Sequence, residues 1–176
     1  MPLVELFGYI SMFFWIFPAA RQFKSPLFFF FLTLGFFEPL QVILLSFNIA
    51  IHFRIIFAIL LLNSALYSEN NKKFMKIFLP FSIILVAADY LLFTIPGTYY
   101  VLASHFVIIY LFFKRTITSV ANSGKLNIFH LMLLLEEFST VFKIILMFQD
   151  AKTGIVLFTL TSIFQYLIVL FFTIYR

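Results

Sequence analysis

Eight ionisable side chains stand inside or at the edge of long apolar runs: Glu38, Arg54, Asp89, His105, His130, Glu136, Glu137 and Lys143. Such a group at the centre of a bilayer costs about 2.5–3.5 kcal/mol, so it must face a protein interior, water or an opposite charge. Their spacing is informative between residues 126 and 148. His130 and Glu137 lie almost two helical turns apart and share one stripe. Glu136 and Lys143 share the adjacent stripe, with Thr140 between them. The neighbouring carboxylates Glu136 and Glu137 point about 100° apart on a helix, so at least one faces inward.

Two arrangements fit these residues. In the first, Glu38, Arg54, Asp89, His105, Glu136, Glu137 and Lys143 line a polar cavity open to the outside, able to bind a solute or carry protons. In the second, the charges pair from helix to helix, or with a partner subunit, and fix the bundle. Asp89 and the Glu136-Glu137 pair are the strongest functional candidates, and His105 taken alone reads as a hydrogen-bonded helix residue. Pro39 directly after Glu38 frees a backbone carbonyl and permits a kink. No recognisable catalytic arrangement is present: there is no HExxH, no GxSxG and no Gly-rich phosphate loop. Asp89 is the one deep aspartate, since Asp150 falls in a turn. The chain has no Cys, which excludes disulfides and thiolate metal sites. The expectation is therefore no catalytic residue, no cofactor and no metal.

The elements that carry these residues follow from composition. Of the 176 residues, 64% are hydrophobic and 11% charged, where a soluble domain carries about 25% charged residues. Mean hydropathy is +1.11, and 29 residues are Phe, which partitions well into hydrocarbon. The formal charge of +5 sits in short loops, a pattern of membrane topology rather than of nucleic-acid binding. Residues 1–20 lack a basic leader and have a poor cleavage site at Pro18-Ala19-Ala20, so they read as a retained helix.

The apolar runs are continuous and do not alternate with period two, which argues for helices and against a β-barrel. A span needs about 20 apolar residues. Run length predicts helices at about 3–20, 27–46, 49–67, 74–94, 98–113, 126–148 and 154–175, with the first stopping at Pro18 and the basic Arg21 to Lys24. Turns are expected near Ser46 to Asn48, at Pro96-Gly97 and at Gln149 to Gly154, and the stretch Lys114 to Lys125 reads as a loop of about a dozen residues. The basic residues give an independent test, because Lys and Arg collect on the cytoplasmic side. Nine of the twelve lie in alternate connections or at the end: Arg21 and Lys24, Lys72, Lys73 and Lys76, Lys114, Arg115 and Lys125, and Arg176. The expected fold is thus an all-α, polytopic membrane bundle of about seven transmembrane helices. It forms one domain over 1–176, with the N-terminus outside and the C-terminus cytoplasmic.

That topology resembles microbial rhodopsins, whose retinal attaches to a Lys of the last helix, but residues 155–175 contain no Lys. It also resembles the PQ-loop sugar transporters. Gly8 to Ser11 and Phe17 to Lys24 are similar to a PQ-loop first helix over about 17 residues, with Pro18-Ala19 where the family has Pro-Gln. The departure leaves membership unclaimed. The expected role is a non-catalytic membrane subunit that anchors, scaffolds or senses within a larger complex. The alternatives are a small transporter or solute-binding bundle and, third, an intramembrane lipid-modifying enzyme. The expected partners are the lipid bilayer and other membrane subunits, with no nucleic acid, and the expected location is a bacterial cytoplasmic membrane.

Overall fold

The computed structural model describes residues 14–46, 53–68, 97–146 and 151–175, together with the isolated helical positions 76, 80, 83 and 84. The described residues are all-helical. Six helices follow in order: α1 (Ile16–Arg21), α2 (Phe28–Ser46), α3 (Phe53–Ser68), α4 (Gly97–Ser123), α5 (Ile128–Leu146) and α6 (Ala151–Ile174). Apart from positions 76, 80, 83 and 84, the run expected at 74–94, with Asp89, lies outside the described residues, as do the turn at 46–48 beyond Ser46 and residues 1–13.

Two expectations about helix ends are corrected, and a third agrees within a residue: α1 passes through Pro18 and ends at Arg21, against an expected end at about 20. Pro18 occupies the first turn, where a missing N–H costs nothing. The segment Lys114 to Lys125 is not a loop, because α4 continues without interruption to Ser123. Its end is set by Gly124, which adopts the left-handed φ of +66° and returns its N–H to the Val120 carbonyl at 2.8 Å. The connection shrinks to four residues, and Asn127 caps α5 by accepting from the Phe129 and His130 amides at 2.9 and 3.4 Å. Finally, α6 begins at Ala151, inside the segment expected to turn.

The described helices close into a ring: each packs on the next in sequence, and α6 returns to pack on α1. Gln22 donates across the closure to the Tyr175 carbonyl at 3.3 Å. α1 and α2 approach so closely that a Cβ added at Gly35 would stand 2.9 Å from the Trp15 carbonyl oxygen. Phenylalanines fill the ring's interior. Phe30 of α2 meets Phe112 of α4 edge-to-face at 5.2 Å, Phe31 packs on Phe172 of α6 at 4.9 Å, and Phe129 of α5 meets Phe172 at 5.1 Å. Each such pair contributes about 0.5–1.5 kcal/mol beyond the area it buries.

The outside of the ring is apolar as well. On α6 the exposed side chains include Leu160, Phe164, Leu167 and Leu170, while Ile168, Val169 and Phe172 are buried. Helices that are apolar all round belong inside a large protein or in lipid. Among the described residues two segments, Tyr99–Ser123 and Val156–Ile174, are long and apolar enough to cross a membrane. The 27 residues of α4 measure about 40 Å, longer than the roughly 30 Å of a hydrocarbon core.

Candidate functional site

α5 carries two adjacent carboxylates that are both buried, Glu136 and Glu137. The two carboxyls point toward different neighbours. Glu137 turns to α4, where its Oε2 lies 2.7 Å from Nδ1 of His105. Both partners are sequestered, at 2% and 0% exposure. This contact places one proton between nitrogen and oxygen, whichever of the two holds it. Glu136 turns toward its own next turn and then to α6. Its Oε1 accepts from the Thr140 hydroxyl at 3.1 Å. Thr140 accepts in turn from the Gln165 amide Nε2 at 2.9 Å, and Gln165 Oε1 accepts from Lys143 Nζ at 2.5 Å. The lysine ammonium also lies over the ring of Phe158, 4.8 Å from its centroid.

Helix geometry explains the path. Side chains lean toward the N-terminus of their own helix, so the long Lys143 stem runs back along α5 toward the level of Thr140 and Glu136. The chain is directional: ammonium donates to amide, amide to hydroxyl, hydroxyl to carboxylate. It brings the pull of a positive charge to Glu136, which lies in electrostatic range of both Lys143 and Glu137. An amide link does not pass a proton readily in either direction, so this arm polarises and braces rather than conducts.

The network is short of donors. Among the described residues, Glu136 Oε2 and Glu137 Oε1 are fully buried and accept from nothing. Two carboxyl groups offer four oxygens, and the protein supplies two contacts to them. Burial without a partner costs on the order of 1–3 kcal/mol per group.

The polar layer sits beside the aromatic one. His105, Glu137 and Gln165 lie seven, eight and seven residues along their helices from Phe112, Phe129 and Phe172. That separates the two layers by about 10–12 Å along the axis. The phenylalanine layer occupies the end nearest the basic residues Lys24, Lys114 and Lys125, and it fills the axis there. A cavity of about 280 Å³ opens elsewhere, between α2 and α3, and is lined by Leu32, Thr33, Phe36, Phe37, Leu40 and Leu60. None of the candidate polar residues lines it.

Of the sequence candidates, the structure therefore joins His105, Glu136, Glu137 and Lys143 into one network. Glu38 and Arg54 are on α2 and α3, with side chains outside the described residues, and Asp89 lies outside them altogether. No group of three or more His, Cys, Asp or Glu side chains among the described residues is placed to hold a metal ion. The residue undervalued by sequence reasoning is Gln165, which links α5 to α6. It is neutral, and its only sequence signal was an amide in the middle of an apolar helix. Comparison with known proteins adds no relative: no family model, curated protein or solved structure matches the chain.

Proposed function

We propose that the chain is a polytopic membrane protein of seven spans, N-terminus outside and C-terminus cytoplasmic, in a bacterial cytoplasmic membrane. In this reading it serves as a non-catalytic subunit that anchors or senses within a larger membrane complex. The observation that supports the role is the closure of the polar side chains on one another: the buried His105 with Glu137, and Glu136 through the half-buried Thr140 and Gln165 to Lys143. A solute path would expose such groups to an opening, whereas here they bridge α4, α5 and α6 next to a filled aromatic layer. Interhelical polar contacts of this kind act as packing glue in bilayers.

Two measurements test the proposal. Extraction in mild detergent followed by mass determination should find the chain in a complex with another membrane protein; a lone 20.7 kDa species under every gentle condition contradicts the subunit role. The absence of Cys makes single-cysteine labelling clean. Ser25→Cys and Ser123→Cys should react with an impermeant reagent from the cytoplasmic face only, and labelling from opposite faces contradicts the topology. The two unpartnered carboxyl oxygens favour the second reading, a small transporter or solute-binding bundle. Uptake by proteoliposomes that is abolished in Glu137→Gln would replace the subunit role with that one.

A further inference from the structure

The unpartnered oxygens deserve an occupant that brings a hydrogen and needs almost no room. Glu136 Oε2 and Glu137 Oε1 belong to adjacent residues that are 2% and 0% exposed, and each carboxyl is in electrostatic range of the other. Their remaining oxygens are engaged separately, Glu137 Oε2 by His105 of α4 and Glu136 Oε1 by Thr140 of α5 itself, which Gln165 of α6 holds in turn, and the two carboxyls lie close enough to interact side chain to side chain. Other titratable or charged groups facing the pair are few. α4 contributes His105, α5 itself contributes Lys143, and the described part of α6 contributes the neutral Gln165 and no charged side chain.

We infer that Glu136, Glu137 and His105 form an intramembrane proton-binding site, in which the carboxyl pair takes up one exchangeable proton and His105 is its acid–base partner. The ligand is the proton itself. Uptake forms one O–H bond on the carboxyl pair and removes one negative charge from the network. That O–H forms at one of the unpartnered oxygens, Glu136 Oε2 or Glu137 Oε1, while the proton already resident in the His105–Glu137 contact can shift along it, an O–H bond at Glu137 Oε2 breaking as N–H forms at His105 Nδ1 or the reverse. The 2.7 Å contact serves both states, so the transfer requires no movement of heavy atoms. The Lys143–Gln165–Thr140 arm holds Glu136 in place and leaves Oε2 available to the proton. The inference rests on reading α5 as a membrane-spanning helix, since lipid on the outside is what keeps water from supplying the missing donors.

Infrared difference spectroscopy on the full chain in lipid nanodiscs, between acidic and alkaline buffer, tests it. A reversible carboxylic C=O band is expected that shifts to lower frequency in D2O. The band should be lost in the double variant Glu136→Gln with Glu137→Gln and retained in Glu38→Gln, and its midpoint should move in His105→Asn. Absence of a titrating band, or a band intact in the double variant, overturns the site. An unmoved midpoint in His105→Asn overturns the part assigned to the histidine. The unsubstituted chain grown with carboxyl-13C glutamate gives a check that does not depend on the variants folding: a band that fails to shift comes from aspartate and overturns the site. The spectrum is read on the isolated chain in lipid. Its failure leaves the subunit role standing, and a lone species in native extracts leaves the proton site standing.

Discussion

Hydroxyl side chains on the α2–α3 side of the ring and on the α4–α5–α6 side alike bond back to their own helices, but the described polar contacts that cross from helix to helix belong to the second side. On α2 and α3 the described donors bond at home: Thr33 donates to the Phe29 carbonyl, Asn63 to Ile59, Ser64 to Leu61 and Ser68 to Ala65, at 2.6–2.8 Å. On α4, α5 and α6 the network residues reach across to neighbouring helices. The difference follows from what a helix has to spare. Its interior N–H groups are all committed, while each carbonyl retains a free lone pair. Donor side chains can therefore bond back to their own helix, whereas acceptors cannot. Asn63 obeys the rule within one side chain, its Nδ2 paired with Ile59 and its buried Oδ1 unpartnered. Carboxylates are acceptors only, so Glu137 reaches to His105 of α4, while Glu136 accepts from the Thr140 hydroxyl of its own helix, which Gln165 of α6 braces.

Substitutions can break this contrast or sharpen it. The largest effect is expected at Gly35→Leu, where a Cβ would meet Trp15 backbone at 2.9 Å. Forcing α1 from α2 should cost about 3 kcal/mol in an unfolding titration in mixed micelles, with the His105–Glu137 contact untouched. Gln165→Leu removes the partner of both Lys143 and Thr140 and should cost about 1–2 kcal/mol in the same assay. Gly124→Ala places a side chain at φ +66° and should cost about 1 kcal/mol with little change in the network. Asn63→Leu is the smallest and differs in sign: it deletes an unpartnered acceptor and should be neutral or stabilising by about 0.5 kcal/mol. A clear loss there would mean that α3, too, depends on a partner for its polar groups.

The helical class was legible because apolar runs without period-two alternation leave few alternatives in lipid. The end of α4 was not. Equating the end of the apolar run with the end of the helix placed a loop at Lys114, but a helix satisfies its own backbone in water as well as in lipid, and only Gly124 stops it. Glu136, Thr140 and Lys143 could be read as neighbours because their spacing is local. The His105–Glu137 contact spans 32 residues of sequence and no local spacing announces it. Gln165 was passed over for charged residues, although a neutral amide can both donate and accept and so suits a bridge between helices.

The central claim is that a dry polar contact ties α4 to α5, and a double-mutant cycle between His105→Ala and Glu137→Ala in bilayer-like micelles tests it most directly. The structure predicts a coupling energy of about 1–2 kcal/mol, at the upper end for interhelical hydrogen bonds in lipid, with each single variant less stable than the parent. A coupling near zero, with the two substitutions simply additive, would contradict it.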